Sequence, residues 1–244
     1  MAPFVTGSDR RASRLRVDFE RSIAVAAPAL AERCGAGLAQ RLADDARHAL
    51  GRLAPLVPWV RSPRGVVFNG FLAITAQELA AFHAFRDHGR PPEEAWTWCH
   101  RVLTERLARW PTWRRRLLAR ILGSAPTRWI VARRARGGGT YRAGGFEVLY
   151  HPGDGVALDF GVDYLRCANL DFVLQNEVAS FAPFVCLADL ALSDALGWGL
   201  VRSETLADGC ARCDFRFHVG GPTRISSRSP AVQAAIEASR GESS

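Results

Sequence analysis

Cys213-Asp214-Phe215-Arg216-Phe217, reached through Leu206-Ala207-Asp208-Gly209-Cys210 and preceded by Cys186-Leu187-Ala188-Asp189, brings thiols, carboxylates and a guanidinium together late in the chain. Side-chain direction in a strand repeats every two residues, so Cys213, Phe215 and Phe217 share one face and Asp214 and Arg216 the other. A thiolate is a nucleophile, a carboxylate carries protons, and a planar guanidinium grips a substrate carboxylate with paired donors. These types predict Cys186 as nucleophile, Asp189 or Asp214 as the proton carrier, and Arg216 with Cys167 and Cys213 as the substrate-binding set. A nearby Arg216 would also lower the Cys186 pKa. A second route, in which a carboxylate activates water directly, is open but weak for an unperturbed Asp at neutral pH.

Each of these residues also has a structural role to fill. Asp214 and Arg216 can pair with each other, Cys167 can close a strand, and Gly209 can supply a turn with positive φ. Cys210-x-x-Cys213 with Cys186 and with Cys167 or His218 offers soft zinc ligands. Yet Cys210 and Cys213 stand across a turn and a strand, and a second clean pair is missing. No metal and no cofactor is therefore expected.

The elements that must position these groups follow from periodicity. Phe184, Leu187, Ala188, Ala191, Leu192 and Ala195 recur at helical spacing within 181–196, which puts Cys186 and Asp189 three apart on one wall. Gly197 and Gly199 end that helix, 200–206 alternates as a strand, and Asp208-Gly209 turns the chain into the Cys213 strand. Upstream, 146–150 and 156–167 read as strands around the turn His151-Pro152-Gly153-Asp154-Gly155, and 169–178 as a helix. Earlier still, 19–30, 37–50, 77–88 and 92–110 carry helical periodicity, with Pro91-Pro92-Glu93-Glu94 as a helix entrance. The expected fold is α+β: an N-terminal helical layer, then an antiparallel sheet of about four strands with helices inserted between strands two and three. Its parts would be a flexible N-terminus over 1–17, a helical region over 18–136, an α+β region over 141–220 packed with it as one domain, and a loosely held tail over 221–244, in which 231–238 can form a short helix.

The 244 residues are 48% apolar and 23% charged, with a net charge of +8, enough for a sizeable core. Much of the charge sits in Arg114-Arg115-Arg116, Arg120, Arg128, Arg133-Arg134 and Arg136, interleaved with Trp110, Trp113 and Trp129. Such a mixture can attract phosphates and stack on bases. Leu117, Leu118, Ile121 and Leu122 nonetheless read as the apolar side of an amphipathic helix, so a solvated or helix-packing face is expected. An anionic membrane surface stays open as a partner. No nucleic-acid partner is expected, because no zinc-finger spacing or nucleotide loop accompanies the charge. Gly137-Gly138-Gly139 lacks the trailing Lys and Ser/Thr of a phosphate loop and reads as a flexible joint. Residues 1–16 hold no apolar core, and 23–30 is too short and too broken by Pro28 to span a membrane or direct secretion. Cytoplasmic residence and free thiols for the six cysteines follow as expectations, with a homo-oligomer left open.

Tyr164-Leu165-Arg166-Cys167, Cys186-x-x-Asp189, Thr205-Leu206-Ala207-Asp208-Gly209 and Cys213-Asp214-Phe215-Arg216-Phe217 together resemble the L-2-amino-thiazoline-4-carboxylic acid hydrolase family. The resemblance covers 146–218. It implies an α+β protein with a helical N-terminal part and hydrolytic opening of a small five-membered C=N heterocycle to an N-carbamoyl amino acid. The positions it carries over are Cys167, Cys186, Asp189, Gly209, Cys213, Asp214 and Arg216. The chain departs at Ala168-Asn169, where the family often has a proline-containing stretch, and lacks a proline-rich turn before Cys186, which bears on the substrate more than on the fold. The expected protein is a hydrolase using a cysteine nucleophile on the C–N bond of a cyclic amidine, thiazoline or lactam-like ring, with a small anionic molecule as its partner. A non-catalytic binding module on the same scaffold and a zinc-binding protein are the alternatives.

Overall fold

Helical periodicity governs the chain as far as residue 136, and strand periodicity takes over at 141. The computed structural model describes residues 7–62, 65, 67–136, 140–154, 156, 158–176 and 178–241. Six helices come first: α1 (Gly7–Cys34), α2 (Ala36–Leu53), α3 (Phe68–Asp87), α4 (Pro92–Ala108), α5 (Thr112–Leu122) and α6 (Ala125–Arg136). α2 buries Leu42, Ala46, Ala49, Leu50 and Leu53, a single apolar stripe. α4 opens as expected, with Pro92 in its first turn and Glu93 and Glu94 beside the free amides. α3 is apolar on most sides because it is central, packing on α2, on α4 and on a later helix of the sheet layer.

The sheet layer follows as β1 (Tyr141–Ala143), β2 (Phe146–Pro152), β3 (Phe160–Arg166), α7 (Ala168–Gln175), α8 (Ala182–Val185), α9 (Ala188–Leu196), β4 (Leu200–Arg202), β5 (Cys213–Phe217), β6 (Arg224–Ile225) and α10 (Pro230–Gly241). The strand order is β1-β2-β3-β5-β4-β6. Every pairing is antiparallel except β4 with β6, so the expected α+β class holds while the sheet is mixed and six-stranded. One core joins both layers: the Phe68 ring stacks on Phe146 at 4.4 Å and Phe82 on Phe181 at 4.7 Å. Burying one such ring contributes about 1.5–3 kcal/mol. Among the described residues no helix is long and apolar enough to cross a membrane.

Four expectations change. The N-terminal stretch expected to be flexible is helical from Gly7, and Leu15 and Phe19 anchor α1 in the core. The tail from 221 is tied down rather than loose, because β6 pairs with β4 and the apolar period of α10 buries Val232 and Ile236 completely. The strand expected over 156–167 begins only at Phe160, since the Asp154 carboxylate accepts from the amides of Val156 and Leu158, both at 2.9 Å, and curls the chain before it can pair. The single helix expected over 181–196 is two short ones, broken at Cys186-Leu187. There the Leu190 amide bonds the Leu187 carbonyl at 3.0 Å, and the Cys186 carbonyl is taken by Arg202 Nη1 at 2.8 Å. The joint read at Gly137-Gly138-Gly139 lies outside the described residues.

Candidate functional site

Strand alternation divides β5 as the sequence predicts. Cys213, Phe215 and Phe217 face the helices, while Asp214 and Arg216 lie on the opposite side of the sheet. The helix-facing side bounds a cavity of about 230 Å³. Its inner wall is made by Tyr164, Cys167, Cys186, Asp189 and Cys213, and Val67, Phe71, Leu122 and Trp198 also line it. Val67 is exposed and Cys213 buried, so the cavity runs from the surface inward. Cys167, Cys186, Asp189 and Cys213 are thus brought together from the junction of β3 with α7, the α8–α9 break, α9 and β5.

Asp214 and Arg216 are not part of this wall, and each is engaged in a hydrogen-bond cluster of its own. In the β3–β5 register Asp163 sits opposite Asp214 and Gly161 opposite Arg216. Having no side chain, Gly161 lets Arg216 lie across it and donate Nη1 to Asp163 Oδ1 at 2.7 Å. His151 Nε2 and Arg212 Nη1 reach Asp163 Oδ2 at 2.8 and 3.2 Å. Burial would raise the Asp163 pKa, but the hydrogen bonds from Arg216 and His151 outweigh it and hold the carboxyl below its ordinary value. Asp214 accepts from the Ser203 amide at 2.8 Å, the Ser203 hydroxyl at 2.7 Å and the Glu204 amide at 2.6 Å. It fastens the turn after β4. The expected Asp214–Arg216 pair is replaced by two separate structural clusters.

Electrostatics inside the cavity reverse another expectation. The Cys213 thiol, in hydrogen-bond contact with Cys186, and burial push the Cys186 pKa well up, and the neighbouring Arg202 opposes this without overcoming it. Burial likewise pushes Cys167 up to about 12. The thiols stay protonated at neutral pH, so a lowered Cys186 pKa is not found. Asp189 behaves differently. Burial raises its carboxyl to about 6, with Arg202 pulling the other way.

Arg202 is the functional neighbour that sequence reasoning missed. Its side chain is 1% exposed, and Nη1 donates to Asp189 Oδ2 at 2.6 Å. The guanidinium also lies over the Phe215 ring, 5.5 Å from its centroid. The signal was present: Leu200 and Arg202 share a face two residues apart, and an arginine on a core-facing position requires a buried carboxylate. Asp189 Oδ1 has no hydrogen bond among the described residues, and the side chain keeps 15% of its surface exposed. Asn169, also in the cavity wall, has a buried Oδ1 without a partner among the described residues. Glu78 on α3 was missed as well. Buried and close enough to Asp189 and Cys186 to feel their charge, it has its pKa pushed well up by burial first and by those two neighbours after it.

Gly209 holds φ +77 after a short 3₁₀ turn, Leu206–Asp208, that Thr205 caps, which is the turn the sequence predicts. Cys210 lies at the end of that turn and outside the cavity wall. Among the described residues no three His, Cys, Asp or Glu side chains are grouped to hold a metal ion. Comparison with protein-family models, with curated proteins and with solved structures finds no match to this chain.

Proposed function

We propose that the chain is a hydrolase that opens a small C=N-containing or amide-like ring in this cavity, with Asp189 rather than Cys186 starting the reaction. The observation that carries the reading is the Asp189 carboxyl itself: Arg202 fixes one oxygen, the other remains for the cavity, and the pKa stands at about 6. An aspartate so tuned is a competent base near neutrality, which removes the objection to the water route. Water held at Oδ1 gives a proton to Asp189 as its oxygen adds to the C=N carbon. The ring nitrogen takes a proton from the Cys186 thiol, the tetrahedral carbon expels the departing heteroatom with the proton that Asp189 holds, and the new hydroxyl returns a proton to Cys186 as the C=O forms, so that the product has gained one water and both groups are restored. A protonated Cys186 thiol suits the role of donor to the ring better than that of nucleophile, and a hydroxyl in its place can donate as well.

Among the described residues the cavity wall contains no Lys, Arg or His. With Arg216 held by Asp163 on the other face, a neutral or protonated ring such as a cyclic amidine is favoured over one bearing a carboxylate. Cyclic amidines, thiazolines and lactams offered to the protein and read by mass spectrometry test the proposal. Asp189→Asn should lower turnover about 10²–10⁴-fold, and Cys186→Ser should retain most of it. Full turnover in Asp189→Asn, or a panel in which no compound gains water, would overturn it. The protonated thiols favour one competing reading, a binding module without chemistry, in which ligands bind and none is converted.

A further inference from the structure

α5 buries none of its residues. Trp113, Leu117 and Ile121 recur every fourth residue along one stripe, and they stand 68%, 47% and 53% exposed. Leu118 and Leu122, which the sequence groups with them, point elsewhere: Leu118 packs against the Leu192–Leu196 cluster and Leu122 lines the cavity. The helix therefore has two apolar sides, and one of them is in water. The next helix, α6, also leaves Trp129 and Ile130 exposed. Adjacent large apolar side chains left in water mark an interaction surface.

The charges beside the stripe identify what covers it. Residues 110–136 contain no Asp or Glu. On a helical projection Arg114 flanks the α5 stripe on one side and Arg116 and Arg120 on the other. Arg128 is committed to Asp159 and Arg134 to the Tyr150 hydroxyl. Arg114, Arg116, Arg120, Arg133 and Arg136 have no carboxylate in salt-bridge reach among the described residues. Arg114 and Arg133 instead lie over Trp110 and Trp129, at 4.1 and 5.3 Å from the ring centroids.

We infer that α5 and α6 form a docking surface for an anionic phospholipid bilayer. The exposed Trp, Leu and Ile side chains enter the boundary between headgroups and acyl chains, and the flanking arginines meet the lipid phosphates. A second copy of this face would set arginine against arginine. A single-stranded nucleic acid is held by successive aromatic platforms along a basic track, whereas two of the three residues in this stripe, Leu117 and Ile121, are aliphatic. The docking face adjoins the candidate site, because Leu122 on the inner side of α5 lines its cavity. This inference stands independently of the hydrolase proposal.

Co-sedimentation with vesicles of phosphatidylcholine alone, and of phosphatidylcholine with phosphatidylglycerol, tests it. The full chain should bind the anionic vesicles at least about tenfold more tightly than the neutral ones, and added salt should weaken that binding. Leu117→Glu combined with Ile121→Glu should abolish binding, and Arg116→Gln with Arg120→Gln should erode the preference for anionic lipid; both pairs are exposed, so the circular dichroism spectrum should not change. Equal affinity for the two vesicle types, or undiminished binding by the Glu variant, would overturn the inference. So would tighter retention of a single-stranded oligonucleotide than of anionic vesicles, or a dimer that the Glu variant dissociates.

Discussion

Arg202 Nη1 lies 2.6 Å from Asp189 Oδ2 and 2.8 Å from the Cys186 carbonyl oxygen, so one buried guanidinium fixes both the carboxylate and the break in the helix that carries it. Removing one member of a buried ion pair costs more than the pair is worth, because the other is left charged and unpaired. Arg202→Met should lower stability by about 3–5 kcal/mol, measured by urea unfolding. Adding Asp189→Asn to it should recover part of the loss. Two additive losses would mean that the residues do not act as a pair.

Asp189 also sets a pH dependence whose sign follows from its position. Burial raises its folded-state value to about 6 from an ordinary 3.8, so between those values the folded chain binds more protons than the unfolded one. Its stabilising contribution is complete below about 3.8 and is lost as pH rises through about 6. Turnover should move the other way, because the base must be ionised: the rate should fall on the acid side with a midpoint near 6. A pH–rate profile checks this, and Asp189→Asn should remove the stability slope in the same window.

The division of β5 into two faces was legible in five residues, because alternation is local. Where Arg216 and Asp214 went was not, since their partners come from the β3 register, from the missing side chain at Gly161 and from amides at Ser203 and Glu204. Asp163 lay inside a stretch read as a strand, but nothing local marks it as the shared partner of Arg216, Arg212 and His151. The helix break at Cys186 was hidden for the same reason, as it is imposed by an arginine sixteen residues away. Leu117 and Ile121 show the converse limit: periodicity finds an apolar stripe but does not say whether the rest of the chain covers it.

Asp163 should matter for stability and little for turnover. Asp163→Asn weakens the partner of Arg216, Arg212 and His151, at a cost of about 1.5–3 kcal/mol. Because its folded-state value is depressed, its contribution is present above the ordinary carboxylate value and is lost as pH falls through the lower one. Denaturant unfolding at neutral and acid pH measures both effects. A tenfold or larger loss of turnover with unchanged stability would bring Asp163 into the reaction together with Arg216.

The thiols offer a test that needs no substrate. Burial and the contact with Cys213 keep Cys186 protonated, and burial places Cys167 at about 12, so iodoacetamide should label both slowly at neutral pH. Labelling, followed by peptide mass spectrometry, should accelerate only on the alkaline side or on unfolding. Rapid and selective alkylation of Cys186 at neutral pH would restore the nucleophile reading.

Two glycines with similar backbone angles should respond differently to the same change. Gly209 has φ +77 and open space around it, so Gly209→Ala should cost only the left-handed strain, about 1–2 kcal/mol. Gly199 has φ +60, and an added Cβ would lie 1.7 Å from the His218 carbonyl oxygen. Relief would require prising apart the chain segments joined by the His218 amide and the Gly199 carbonyl at 3.0 Å, next to Trp198 in the cavity wall. Gly199→Ala should therefore cost clearly more than Gly209→Ala and disturb ligand binding as well. Thermal unfolding of the two variants side by side measures the difference, and equal losses would show that the backbone angle alone, and not the close approach to His218, selects glycine at 199.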